Sequence, residues 1–286
     1  MLAVLFAFAS AIASALNLVT QHVASTAAPA KDKGLRLALY LVRNPLWLFG
    51  VGAVVASFAL QAFALYEGRL SVVQSILVTE LVFSLVIGRL WLHRTVLPAA
   101  WVSALVTSAG LAVFLVMSEP KGGHPAATAQ AWLPALLLFG CLTAALTLLA
   151  RRGSPLRRGA LYAASSGIAA ALMATFLKSS TEVLGQSGVM ATLGQAVLYG
   201  LIVAMIIQVV LTQAALHYGA LGVSQPLMVI VNPFVSIILG IWIYGEHFAG
   251  GAWKVAVGAA GFATMVVGVV FLARTAPSLA AAPAER

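Results

Sequence analysis

Nine apolar stretches, each long enough to cross a bilayer as a helix, take up most of this 286-residue chain: about 2–24, 46–66, 70–92, 97–118, 132–150, 159–177, 189–217, 221–245 and 252–273. A hydrocarbon core of about 30 Å needs about 20 apolar residues rising about 1.5 Å each, so each stretch suffices for one passage. The runs are continuous and lack the period-2 alternation of a membrane β-barrel, and a helix satisfies its own backbone hydrogen bonds in lipid. The fold class is therefore all-α, a polytopic membrane helical bundle of about nine transmembrane helices. Composition agrees, with 62% hydrophobic and 8% charged residues and a mean hydropathy of +1.03, outside the range of soluble domains.

The basic residues divide unequally when the nine segments are threaded alternately across the bilayer. Lys31, Lys33, Arg36, Arg43, Arg89, Arg94, Arg151, Arg152, Arg157, Arg158, Arg274 and Arg286 fall on one side, and Arg69, Lys121, Lys178 and Lys254 on the other. The positive-inside rule then puts the C-terminus in the cytoplasm and the N-terminus outside, in a plasma (cytoplasmic) membrane protein. No Lys or Arg precedes Lys31, so the first segment lacks the basic start of a secretory signal and reads as a retained helix. The expected layout is one transmembrane domain over 1–275 and a disordered cytoplasmic tail over 276–286, rich in Ala and Pro.

Topology also accounts for the net charge of +9, because the charges are scattered over short loops and do not form a basic face with interleaved aromatics. No nucleic-acid partner is expected. The single cysteine, Cys141, lies in an apolar segment, and His22, His93, His124, His217 and His247 are dispersed without ligand spacing. There is no HExxH, acid pair or phosphate-binding loop, so neither an enzyme nor a cofactor is expected.

Two stretches about 150 residues apart match each other. At an offset of 152, Gln61 meets Gln213, Tyr66 meets Tyr218, Ser84 meets Ser236, Gly88 meets Gly240 and Trp101 meets Trp253; at 151, Gly68 meets Gly219, Gln74 meets Gln225 and Gly110 meets Gly261. Segments two to four thus overlay seven to nine. Equivalent segments are five apart, an odd number, so the copies enter the membrane in opposite directions, an inverted repeat with halves at about 1–118 and 132–274.

Glu80, eleven residues into the third segment, is the only carboxylate near the middle of a membrane-length run. An ionisable group held at that depth usually faces a bundle interior or a watery cavity and serves function. Its repeat counterpart is Asn232, followed by Pro233 in segment eight. Pro233 has no N–H for the Val229 carbonyl, which predicts a kink and a carbonyl in need of a partner, with Pro226 a second hinge candidate. Gln225, Asn232 and Ser236 share a helical face, as do Glu80 and Ser84. Gln61 and Gln213 are polar residues in otherwise apolar segments. The candidate binding set is therefore Glu80, Asn232, Gln225, Ser84, Ser236, Gln61 and Gln213. The structural alternatives are that the amides and hydroxyls only join helices, that Ser10, Ser14, Gly258 and Gly261 only allow close packing, and that Glu80 is protonated or paired with Arg89 or a neighbouring helix. Glu67 and Glu246, at segment ends, read as solvated or loop-anchoring, and Lys178 and Lys254 as snorkelling to the interface.

The run AFALYEGRLSVVQSILVTELVFSLVIG, echoed by QAALHYGALGVSQPLMVIVNPFVSIILGIWIYGEHFAGGAWKVAVGAAG, resembles the drug/metabolite transporter superfamily with its EamA-like repeats. Gly245-Glu246 before a Gly-rich final helix is similar to the ending of that family's second repeat. One helix before the Trp47-containing segment makes nine, a layout like the NIPA-type magnesium transporter branch. The third segment has Gln74 and Ser75 where relatives often carry proline, and the first carries no acid, so a mechanism built on a first-helix glutamate does not transfer.

The expected function is a secondary transporter that moves a small polar or cationic solute by alternating access, with proton uptake and release at Glu80 as the coupling step. Magnesium is the alternative cargo, held largely hydrated, and Glu80 is the one acid that would serve a metal. A non-transporting scaffold or receptor is a further alternative. The expected partners are that substrate and the lipid bilayer, with a homodimer left open.

Overall fold

The computed structural model describes residues 2–26, 43–92, 97–118, 120–122, 129–218, 221–248 and 251–275. Lys31, Lys33, Arg36, Arg94, Arg286, His93, His124 and the tail lie outside them, as do the side chains of His22, His217, Gln225 and Pro226. In chain order the elements are α1 (Leu2–Thr26), α2 (Pro45–Glu67), α3 (Leu70–Leu77), α4 (Glu80–Leu92), α5 (Pro98–Ser118), β1 (Pro120–Gly122), α6 (Ala129–Leu149), α7 (Pro155–Leu193), α8 (Ala196–Tyr218), α9 (Leu221–Tyr244), β2 (Glu246–Phe248) and α10 (Ala252–Thr275). With α3 and α4 together forming the third passage, nine helical spans long and apolar enough to cross a membrane are present among the described residues.

Local chemistry sets several boundaries. Asn44 Oδ1 accepts the backbone N–H groups of Leu46 (2.9 Å) and Trp47 (3.4 Å) ahead of Pro45, and Ser154 caps α7 ahead of Pro155; a short polar cap followed by proline at the first helical position is a favoured helix start. After α9, Gly245 turns the chain at φ 65°, in the left-handed region where only glycine is unstrained. The chain then pairs antiparallel with β1, Lys121 opposite His247. This two-stranded ribbon ties the loops after α5 and α9 at one end of the bundle.

Two segments differ from the sequence reading. The sixth was expected to end near 177, with Lys178 in a loop; α7 instead runs to Leu193, interrupted at Gly188 (φ 76°), and the turn to α8 falls at Gly194 and Gln195. The polar stretch after Leu177 reads as a loop by hydropathy, but protein rather than lipid surrounds it: Lys178, Ser179, Ser180 and Glu182 are all buried. The third segment was expected to be one helix. It breaks at Val78–Thr79, where Val78, Thr79 and Leu81 donate to the carbonyls three residues back at 3.3, 2.9 and 3.3 Å. Thr79 Oγ1 takes the Ile76 carbonyl at 2.7 Å, a local alternative to the helical bond, and such tightened turns inside a helix mark hinges. By contrast α9 is helical from Leu221 to Tyr244, Pro233 included.

The packing partners recur between the halves. α1 packs on α2 and on both pieces of the third span, and α7 packs on α8 and α9. Among the pairs that join the halves are α3 with α9, α2 with α7 and α5 with α10. The α5–α10 contact is backbone to backbone. A Cβ on Gly110 would fall on the Met265 nitrogen, and one on Gly261 would sit 2.7 Å from the Phe114 nitrogen. Side chains lie as a membrane solvent demands. The main core, among it Leu65, Leu70, Ile76, Phe139 and Leu239, with Trp132 stacked on Phe176 at 4.5 Å, sits beside buried Gln74, Ser75 and Thr175, while Leu105, Val116 and Leu133 face outward. Lipid exposes no penalty for apolar surface, whereas polar groups must find partners inside.

Candidate functional site

A cavity of about 600 Å³ opens at mid-depth between α1, α2, the α3–α4 break, α7, α8 and α9. Six spans contribute: Ser14 from α1, Gln61 from α2, Gln74 and Glu80 from either side of the break, Met173 from α7, Gln208 from α8 and Asn232 with Pro233 from α9. Because α3 ends at Leu77, Glu80 becomes the first residue of α4. It is half-buried with its carboxyl group at the cavity wall, and Ser14 Oγ donates to its Oε2 at 2.7 Å. Arg89 is nine residues further along, about 13 Å of helix rise, and is exposed.

Across the cavity, Asn232 Nδ2 donates to Gln74 Oε1 at 3.1 Å, and Ser236 Oγ donates to Asn232 Oδ1 at 3.3 Å. The chain of amides joins the two halves. Gln74 is fully buried, and its Nε2 is a donor with no hydrogen-bond partner among the described residues. Val229, whose carbonyl loses its usual N–H partner to Pro233, also lines the wall. The wall thus combines one carboxyl group, amide donors and acceptors, hydroxyls and apolar faces from Val54, Phe58 and Met205. That assembly can hold a small polar or cationic molecule by hydrogen bonds and one charge.

Of the residues singled out in the sequence, Glu80, Asn232, Gln61 and Pro233 come together at the cavity, and Ser236 reaches it through Asn232. Ser84 does not: its hydroxyl returns to the Leu81 carbonyl of its own helix at 2.8 Å. Gln213 is exposed; the amide that α8 supplies is Gln208, five residues earlier and so about 140° around the helix. Gln225 and Pro226 have side chains outside the described ones. Three contributors were missed. In the sequence Gln74 stands out as a repeat match to Gln225 and as a departure from the family pattern, and Ser14 as a small packing residue. Gln208 is visible in the sequence as a polar residue in an apolar run.

A second polar centre lies near the end marked by the ribbon. Lys178 Nζ donates to the carbonyls of Leu65 (3.0 Å) and Gly68 (2.7 Å), at the C-terminus of α2, and pairs with Glu182 at 3.4 Å. A cation at a helix C-terminus meets carbonyls that lack N–H partners. Glu246 Oε1 accepts the Leu70 N–H at 2.7 Å, and its Oε2 accepts the Ser71 N–H at 3.2 Å and the Ser71 hydroxyl. It therefore caps α3 from 175 residues away in sequence. Tyr244 donates to the Thr175 carbonyl at 2.8 Å and shares a hydrogen bond with Ser179. Lys178 was expected to snorkel and is instead buried, at 7% exposure, on the two α2 carbonyls; of the two readings of Glu246, solvated or loop-anchoring, the second holds, since it is buried at 3% exposure as the cap of α3. Glu67 is exposed, as read from its position. Among the described residues no three His, Cys, Asp or Glu side chains converge as metal ligands.

No family model matches the chain, and no solved structure matches it. The chain is 29% identical over 282 residues to an uncharacterized protein of Corynebacterium glutamicum, a match that covers 96% of this chain and 96% of that one.

Proposed function

We propose that this chain is a secondary transporter, of the drug/metabolite transporter type, that moves a small polar or cationic solute by alternating access between two inverted halves. The observation that carries the reading is the mid-depth cavity with Glu80 at the break between α3 and α4. Discontinuous helices at the midplane, at the interface between repeats, are where transporters of this architecture keep their sites. The recurrence of packing partners between the halves supports the repeat. So does the mutual contact of Gly110 and Gly261, since residues matched by a two-fold operation can touch only near its axis.

The solute is bound by the Glu80 carboxyl group, the Gln74 donor and the Asn232 amide, and exchange of a proton at Glu80 couples its movement to the proton gradient. A small polar or singly charged cargo fits better than dehydrated magnesium, because Glu80 is the one acid at the cavity among the described residues and divalent sites gather several oxygen ligands. The Glu246–Lys178 centre closes the end of the bundle opposite the arginine-rich loops, and the hinge at Val78–Thr79 lets α3 move with that end.

The test is a ligand screen on purified wild type and Glu80→Gln, with thermal stability measured against amines, amino acids, nucleobases and Mg²⁺ at about pH 6 and pH 8, since a bound solute stabilises the folded state by mass action. A solute that stabilises wild type and not the mutant is expected, and its uptake into proteoliposomes should follow an imposed proton gradient. Failure of every solute to stabilise wild type or to move across the membrane would overturn the reading.

A further inference from the structure

A second cavity, of about 660 Å³, lies on the flank of the bundle, away from the mid-depth site. Its floor is α7, through Ala169, Leu172 and Phe176, and its walls are α6 and α8, each of which packs on α7. The groove is shaped by what is missing. A Cβ on Gly140 would meet nothing within 4 Å, while Gly200 lets the Phe176 ring lie flat on the α8 backbone. Lining residues of α6 recur from Leu136 to Leu148, a length of about 18 Å at about 1.5 Å per residue, and Arg151 follows in the turn beyond the helix. That exceeds the depth of one leaflet, about 15 Å.

The groove is apolar along its length but ends at Arg151, which is exposed, as are Arg152 and Arg157 beyond it. Arg158, in the same turn, is already used: it donates to the Ala150 carbonyl at 3.2 Å and stacks over Tyr218 at 3.7 Å. The only carboxylate on α6 or α7 is Glu182, 31 residues on from Arg151 in sequence and beyond the last groove-lining residue of α7, Phe176. One end of the groove is therefore cationic without a neutralising acid from the helices that form it.

We propose that this groove binds one acyl chain of an anionic phospholipid, with the lipid phosphate held at the Arg151 end. The shape complements a hydrocarbon chain, and the charge selects the headgroup, since cations at the membrane surface attract anionic lipid. The site is independent of the transport reading, because Glu80 takes no part in it.

Native mass spectrometry of the full chain, released from nanodiscs of mixed phosphatidylglycerol and phosphatidylcholine, tests this. Wild type should retain phosphatidylglycerol in preference to phosphatidylcholine, and Arg151→Gln should reduce that preference by about fivefold, the effect of one surface cation. Gly140→Phe should fill the groove and lower retention of both lipids. Gly52→Phe, at an exposed glycine on α2 that also has open space around it and lies off the groove, should change neither. Equal retention of the two headgroups by wild type would overturn the proposal, as would a preference unmoved by Arg151→Gln. So would a Gly140→Phe variant that keeps its lipid but loses self-association, which would make the groove a seat for a second copy.

Discussion

Ser14 on α1 donates a 2.7 Å hydrogen bond to the carboxyl group of Glu80 on α4, so the one acid at the cavity is oriented by a hydroxyl 66 residues away in sequence. Ser14→Ala should leave the fold intact and weaken solute binding by about fivefold, the equivalent of about 1 kcal/mol for one hydrogen bond. Glu80→Gln should abolish binding. Thermal-shift titration with the solute found in the screen distinguishes the two, and unchanged affinity in Ser14→Ala would mean that Ser14 matters only for packing.

Gln74 and Asn232 form the amide bridge between α3 and α9. Replacing one partner with leucine strands a buried polar group, at a cost of about 1–3 kcal/mol, whereas replacing both removes the unmet demand. The double variant Gln74→Leu with Asn232→Leu should therefore be more stable than the sum of the single losses implies. Melting temperatures of the four proteins complete the cycle.

Gly110 and Gly261 allow the backbones of α5 and α10 to touch. Gly261→Leu should destabilise by about 1–3 kcal/mol or more through overpacking, with a fall in melting temperature and broadened size-exclusion profiles. Gly52→Ala, where a Cβ has open space, should be neutral.

Lys178 holds two α2 carbonyls as well as Glu182. Lys178→Met leaves Glu182 and both carbonyls unpaired inside the protein and should cost about 3–5 kcal/mol, as for other broken buried pairs. Glu182→Gln keeps the lysine on its carbonyls and should cost less. If the order of the two melting temperatures reverses, the carbonyl bonds contribute little.

Orientation can be read by labelling in a Cys141→Ser background. His247 on the ribbon and Arg152 at the other end are both exposed. An impermeant maleimide added to intact cells should label the His247→Cys protein, and should label Arg152→Cys only after permeabilisation. The opposite pattern would invert the assigned topology.

Hydropathy alone was enough to place nine spans, because crossing lipid imposes a length and a polarity on each segment regardless of its neighbours. It also singled out Glu80, whose depth follows from position within an apolar run. Where the polar groups point was another matter. Gln208 and Gln213 look equivalent in a hydropathy profile, yet one lines the cavity and the other is exposed, a difference made by rotation about α8. The polar run from Lys178 to Glu182 reads as a loop because a sequence window cannot tell lipid from protein surroundings; carbonyls of α2, brought from over 100 positions away, make it interior. A kink was expected at Pro233, where an N–H is missing by covalent structure, and α9 is one helix through it; the span that divides is the third, at Val78–Thr79, where the Thr79 hydroxyl bonds the Ile76 carbonyl and α1 and α9 pack on α3. The sequence by itself determined the solvent, the number of crossings and the depth of the acid. The tertiary structure decided which polar residues share a cavity, because only the packing of helices determines which face of each is turned away from lipid.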